Sequence, residues 1–199
     1  MVIDQNTILL HSQNGYHEEY TLDPAETGLV LPGSVVAVKS VSTIQSDMVN
    51  AAVVSSQASA NLAGDATDVQ KAAVLNAAEL LIVKENALVG GGINRPSIAG
   101  ETIMLERAVS GDRYLVRAVV GEYKQGEPLY LTQTANGIYF TKTVGTGANA
   151  APAVRAFALE NFSIVAGMVD LKDESNPIGT GRNEVRNGGL VNLLRVRIA

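Results

Sequence analysis

The chain has 199 residues, with 46% hydrophobic and 18% charged side chains, a formal net charge of −5 and no cysteine. This length and composition predict a single globular domain, and the absence of cysteine excludes disulfides and thiolate metal sites. The acidic balance argues against nucleic acid as a partner, because phosphate binding needs clustered basic residues. The nearest approach to a basic cluster is interrupted by Glu184 and by apolar residues; it consists of Arg182, Arg186, Arg195 and Arg197.

Membrane insertion and export are also not expected. No stretch approaches the roughly eighteen consecutive apolar residues of a membrane span. Residues 1–13 lack the basic and apolar regions of a secretory signal. We therefore expect no membrane partner.

The first zone of the chain runs from Met1 to about Asp23 and reads as an N-terminal arm or an edge strand. A short apolar run is followed by polar residues with tyrosines among them. Such a segment is typical either of an edge strand or of an extended arm ordered by a partner. If it makes partner contacts, the side chains expected to do so are Ile8, Leu9, Leu10, Tyr16 and Tyr20.

The second zone begins a single β-rich domain that we expect to cover residues 24–199. Pro32-Gly33 predicts a turn, and the β-branched run that follows, from Val35 to Val41, predicts a buried strand. Residues 45–78 are then rich in Ala and Ser and read as an elaboration of the domain. Within them, Thr67–Gln70 fits a capping box and predicts a short helix over Asp68–Ala78, with a surface loop as the alternative.

From Leu80 onward, strand signals dominate. Short apolar or alternating runs are separated by turn residues; they include Leu80–Val83, Thr102–Val109, Tyr114–Val120, the two sides of an Asn136-Gly137 turn, one or two strands around residues 154–171, and the C-terminal run 190–199. About eight short strands at close spacing predict a mainly β fold, either a compact β-barrel or a sandwich, with one short helix and an N-terminal arm.

Catalytic, cofactor and metal sites are not expected. His11 and His17 are the only histidines, and they lack the further ligands at fixed spacing that zinc requires. The glycine-rich runs are not followed by Gly-Lys-Ser/Thr, and no G-x-S-x-G motif is present. We therefore expect a protein that is not an enzyme.

Read in order, the segments resemble the head decoration, or cement, proteins of tailed bacteriophages. "LVLPGSVVAV" is similar to the family's first strand, with its Leu-Pro-Gly turn, and "RAFALENF" and "LLRVRIA" are similar to its later strands. The most telling part joins an apolar strand, an acidic residue, a glycine-rich loop, a turn, a strand and a Gly-Asp; these are Leu80–Val83, Glu85, Gly90–Gly92, Ala99-Gly100-Glu101, Thr102–Val109 and Gly111-Asp112.

The resemblance implies a structural virion protein that binds the outer surface of the phage capsid and stabilises the shell. It implies assembly in the bacterial cytoplasm, with the major capsid protein and further copies of the chain, as a homotrimer or homodimer, as partners. The alternatives are a tail or baseplate structural protein and a ligand- or carbohydrate-binding β module. A binding module predicts an exposed aromatic platform drawn from Tyr114, Tyr123, Tyr130, Tyr139 and Phe140.

Overall fold

The computed structural model describes twelve parts of the chain, and the observations that follow concern these parts: residues 8–11, 17–27, 30–41, 52–58, 67–76, 79–85, 95–134, 137–144, 153–164, 185–186, 189–190 and 193–199. They form a mainly β structure with one short helix, which confirms the predicted fold class. The helix is α1 (Asp68–Leu75), and the strands are β1 (Leu9–His11), β2 (His17–Leu22), β3 (Val35–Val41), β4 (Ala52–Ser55), β5 (Leu80–Val83), β6 (Thr102–Ala108), β7 (Arg113–Val116), β8 (Gly121–Tyr123), β9 (Pro128–Thr134), β10 (Gly137–Thr141), β11 (Ala156–Ala158), β12 (Phe162–Ile164), β13 (Val185–Arg186), β14 (Gly189–Leu190) and β15 (Leu194–Ile198).

Five strands close into a small barrel. Their order is β3, β4, β2, β6 and β5, and β5 pairs back onto β3. The pairs are antiparallel except β2 with β4, which is parallel. Closure removes the open edges that a five-stranded sheet would otherwise expose. The barrel interior is filled by aliphatic side chains: Leu22, Val30, Val36, Val54, Leu81, Val83, Ile103 and Leu105.

Six further strands form an antiparallel sheet beside the barrel, in the order β1, β7, β15, β11, β9 and β10. This sheet joins the barrel through β10 and β3, where Ile138 lies opposite Val35. Its inner face packs against the outside of the barrel and forms a second, larger core. Tyr114, Leu129 and Phe140 are fully buried in that core.

Strand β5 lies between the two cores. Leu81 and Val83 point into the barrel, whereas Leu80 and Ile82 point into the second core. This division follows from the alternation of side chains along a strand. It explains why the β5 sequence "LLIV" is apolar at every position rather than at every second one.

The predicted turn at Pro32-Gly33 lies against both the barrel and the sheet. The Gly33 N–H donates to the Val83 carbonyl at 2.8 Å, and the Arg117 N–H donates to the Gly33 carbonyl at 2.8 Å. Gly33 has a φ of 86°, in the left-handed region that favours glycine. The turn therefore connects the two halves of the fold through backbone hydrogen bonds.

Helix α1 begins with the predicted capping box. The Gln70 N–H donates to Thr67 Oγ1 at 3.3 Å, and the Thr67 N–H donates to Gln70 Oε1 at 2.8 Å. The helix ends at Leu75, three residues before the predicted end at Ala78. Leu75 and Val74 pack against the second core, which positions this short helix over the sheet.

The hairpin predicted around Asn136-Gly137 is formed by β9 and β10. Thr134 lies opposite Gly137, and residues 135–136 lie outside the described residues. Gly137 has a φ of 130°. Alternation along β10 buries Ile138 and Phe140 and leaves Tyr139 half-buried on the other face.

Candidate interaction surfaces

Four of the five predicted N-terminal contact residues lie in or beside the β structure. Ile8 is fully buried in the second core; its N–H donates to Glu85 Oε2 at 2.9 Å, and its carbonyl accepts from the Leu115 N–H at 2.8 Å. Leu9 and Leu10 belong to β1, which pairs with β7 and lies at the end of the sheet order. Ile8 therefore cannot present its side chain to a partner.

Tyr20 lies in β2, between β4 and β6 of the barrel. Its ring is half-buried against the barrel core, and its hydroxyl donates to the Glu18 carboxylate. Burial raises the pKa of Tyr20, and the Glu18 carboxylate raises it further. Tyr16 lies outside the described residues. The strand that carries Tyr20 is thus part of the barrel wall rather than an arm beside it.

The Ala/Ser-rich stretch also contributes to the barrel. Its residues Ala52–Ser55 form β4, which pairs with both β2 and β3. Val54 is fully buried in the barrel interior. Small residues hid this strand, because only Val53 and Val54 mark it as β-branched in the sequence. The remainder of the stretch between β4 and the capping box lies mostly outside the described residues.

The five aromatic residues that a binding platform would use are turned inward or half-buried. Tyr114 and Phe140 are fully buried, and Tyr123 is buried. Burial raises the pKa of Tyr114 and of Tyr123 far above the ordinary value, so both phenols stay protonated. Tyr130 and Tyr139 are half-buried on the outer side of the hairpin. None of the five is exposed as a stacking platform requires.

A network of charges lies at one end of the barrel, on the strand faces that point into it: Glu18 lies opposite Leu105, and Arg107 lies opposite Leu81. Arg107 on β6 donates from Nε and Nη2 to the two oxygens of Glu18, at 2.8 and 3.0 Å, and it also pairs with Glu79. The hydrogen bonds from Arg107 hold the pKa of Glu18 below its ordinary value. Bidentate pairing fixes the guanidinium plane, so this network stiffens the wall formed by β2 and β6.

Two further acidic residues are buried between the barrel and the sheet. Glu106 is completely buried and pairs with Lys84 at 2.8 Å. Asp112 is also buried, and it accepts hydrogen bonds from the Val109 N–H at 3.1 Å and from the Tyr114 hydroxyl at 3.3 Å. These groups have protein partners and no contact with solvent, so they are structural rather than available to a ligand.

Arg117 is the buried arginine beneath the Pro32-Gly33 turn. Its Nε donates to the Pro32 carbonyl at 3.0 Å. Burial lowers its pKa to about 10, which leaves the side chain charged at neutral pH. The guanidinium anchors the turn to the end of β7 and is not accessible to a partner.

A groove of about 280 Å³ lies between α1, β3 and the β9–β10 hairpin. Its wall is mostly aliphatic, with Val74, Leu75 and Val38 among the lining residues, and Glu79 at its margin pairs with Arg107. Binding sites for small molecules usually combine an apolar wall with a few polar groups that orient the ligand. The described lining offers no such set.

The two histidines lie on different strands: His11 is on β1 opposite Arg113, and His17 is on β2 opposite Glu106. Within the described parts of the chain, no three His, Asp, Glu or Cys side chains converge as metal ligands. No helix in those parts is long and apolar enough to span a membrane.

No family model matches the sequence, and no curated protein matches it. A functional proposal for this chain therefore depends on its sequence pattern, its architecture and the chemistry of its surfaces.

Proposed function

We propose that this chain is a structural virion protein that binds the outer surface of a tailed-phage capsid and stabilises the assembled shell. In this proposal it is not an enzyme. Its partners are the major capsid protein and further copies of itself, as a homotrimer or homodimer, and it lies on the outside of the virion.

The order of turns and strands carries the proposal. Five of the segments that resemble decoration proteins fall on turns and strands in chain order: the Pro32-Gly33 turn, β5, the turn at Gly100, β6, and the turn at Gly111. The glycine-rich loop Gly90–Gly92 lies outside the described residues. The glycines of the three turns have φ values of 86°, 78° and 95°, as tight turns require. A resemblance built on turns and strand patterns needs these segments to be turns and strands, and this agreement supports it.

The burial of the aromatic rings favours this proposal over a carbohydrate-binding module. Sugar-binding surfaces stack ligands on exposed rings, and Tyr114, Tyr123 and Phe140 are buried instead. A protein whose task is contact needs a rigid frame, and here two cores share strand β5. If copies assemble symmetrically, each weak contact with the shell becomes effectively intramolecular after the first, which raises the overall affinity.

Sedimentation with empty heads tests the proposal. The purified protein is mixed with expanded and with unexpanded empty heads of the phage that encodes it, and the heads are pelleted. A stabilising role predicts that the protein pellets with expanded heads and raises their melting temperature. Recovery in the supernatant with both kinds of head would exclude the capsid proposal.

A further inference from the structure

One row of side chains on the outer face of the sheet has a chemistry that the fold itself does not explain. Arg113 on β7 lies directly opposite Arg197 on β15, and Arg197 lies directly opposite Phe157 on β11. Phe157 in turn lies opposite Pro128 at the start of β9. We call Arg113, Arg197, Phe157 and Pro128 the basic row.

The two arginines of the basic row face each other at close range. Directly opposed residues in an antiparallel pair have their Cβ atoms about 4.5–5.5 Å apart, and like charges in such positions destabilise the sheet. Both side chains are exposed. Among the described residues, neither arginine lies within ion-pair distance of a carboxylate, whereas Arg95, Arg107 and Arg195 each do.

The neighbouring ring makes the row suitable for protein contact. The Arg197 guanidinium carbon lies 5.7 Å from the centre of the half-buried Phe157 ring. Such a contact pre-orders the guanidinium over an apolar surface and leaves its outer edge free to bind a carboxylate in a bidentate way. An arginine beside an aromatic ring is also the composition enriched at protein interfaces.

We propose that the basic row is a docking surface for an acidic segment of a partner protein. Carboxylates of the partner bind Arg113 and Arg197 and relieve the repulsion between them, while Phe157 and Pro128 contact apolar atoms of the same segment. An acidic protein segment fits better than nucleic acid, because the row offers two free guanidinium groups on a protein of net charge −5 rather than an extended basic stripe. The inference names the partner's chemistry and does not depend on the capsid proposal.

Binding of a fluorescent glutamate-rich peptide, measured by anisotropy, tests the proposal on the full chain. The variant Arg113→Gln/Arg197→Gln is compared with Lys124→Gln/Lys142→Gln, which removes the same charge from other exposed positions. We expect the arginine variant to bind about tenfold more weakly, with a shallower salt dependence, because two charge-assisted contacts are lost. The lysine variant should bind about as tightly as the wild type. A cooperative thermal unfolding transition in each of the three proteins verifies that each is folded.

Three results would overturn this inference: no measurable peptide binding by the wild type, equal weakening in the two variants, or tighter binding of a labelled DNA duplex than of the peptide. The sedimentation experiment separates the two proposals. If heads bind the wild type and the arginine variant equally while the peptide result holds, the docking surface stands and its acidic partner is not the shell. If the wild type fails to bind heads while the peptide result holds, the capsid proposal fails and the docking surface stands.

Discussion

At the scale of single residues, glycine positions show where close packing, and not only backbone conformation, decides the sequence. Gly33 and Gly100 both have left-handed φ values, of 86° and 78°. A Cβ on Gly33 would lie 3.1 Å from the Leu115 carbonyl oxygen and 3.1 Å from Leu193 Cδ2, whereas a Cβ on Gly100 would meet nothing within 4 Å. The two positions therefore separate the cost of backbone strain from the cost of crowding.

We expect Gly33→Ala to lower the free energy of unfolding by more than Gly100→Ala does. The left-handed conformation alone costs an alanine about 1–2 kcal/mol, and at position 33 displacement of neighbouring atoms adds about 1–3 kcal/mol. Urea unfolding of both variants measures the difference. Equal losses in the two variants would contradict the crowding argument.

A second prediction concerns Asp23, which is buried at the end of β2 and pairs with Lys39. The hydrogen bond from Lys39 lowers the pKa of Asp23 below its ordinary value of 3.8, and the Ala25 N–H lowers it further. A carboxyl whose folded pKa is depressed contributes stability that is fully present above its unfolded pKa. That stability is lost as the pH falls through the folded pKa.

We therefore expect Asp23→Asn to be less stable than the wild type at neutral pH, by about 1–3 kcal/mol, since the Lys39 ammonium loses its charged partner. The difference in stability should shrink as the pH is lowered below about 4, because the wild-type carboxyl is then protonated and neutral, as the asparagine amide is. Denaturant unfolding at a series of pH values measures this. A difference that stays constant down to strongly acidic pH would exclude the charge as its cause.

Among the helices and strands, α1 shows that local sequence signals determine where an element begins and that packing determines whether it is stable. The capping box at Thr67–Gln70 begins α1 as its sequence indicates. The helix has only eight residues, too few for stability on their own, so it depends on the packing of Val74 and Leu75 against the second core. The sequence therefore sets where the helix begins, and tertiary contacts provide its stability.

Replacing the cap tests this division. We expect Thr67→Ala to cost about 1 kcal/mol of local stability, because the Gln70 N–H loses its acceptor. Hydrogen exchange at the first turn of α1 should accelerate, while exchange in β5 and β6 stays unchanged. Thr67→Ser keeps the oxygen and serves as the control. Faster exchange throughout the protein would show that the cap has a global rather than a local role.

In the molecule as a whole, the described part of the N-terminal zone belongs to the barrel and to the sheet beside it. Strand β2 pairs on both sides within the closed barrel, and Ile8 is buried in the second core. Removing the residues before Leu22 would take one of five strands from the barrel and expose the edges of β4 and β6. Loss of shell binding in such a deletion would therefore reflect unfolding, and point variants on exposed faces are the better probe of contact.

We expect a chain that begins at Leu22 to lose its cooperative thermal transition, because both cores are opened. A chain that lacks only residues 1–7 retains Ile8, β1 and β2 and should keep the transition. Differential scanning calorimetry of the two deletions distinguishes these outcomes. A cooperative transition in the shorter chain would show that β2 is dispensable.

Features that depend on near neighbours in the chain could be predicted from the sequence, whereas features that depend on distant residues could not. Alternation, turn residues and capping operate over a few residues, so the sequence alone indicated the mainly β class, the Pro32-Gly33 turn, the buried strand β5 and the start of α1. Which strands pair depends on contacts between residues that are far apart in the chain. Strand pairing places β2 inside the barrel and forms β4 from a stretch whose composition predicts an elaboration of the domain.

The basic row also combines a feature that the sequence predicts with one that only strand pairing reveals. Alternation along the last strand predicts that Arg197 points outward, because its neighbours Val196 and Ile198 are apolar. The structure shows that Arg113, from a distant strand, lies beside it, because the register of each strand is set by the burial of its apolar face. Arg197, from a basic series that is interrupted along the chain, thus lies beside Arg113, which is not part of that series.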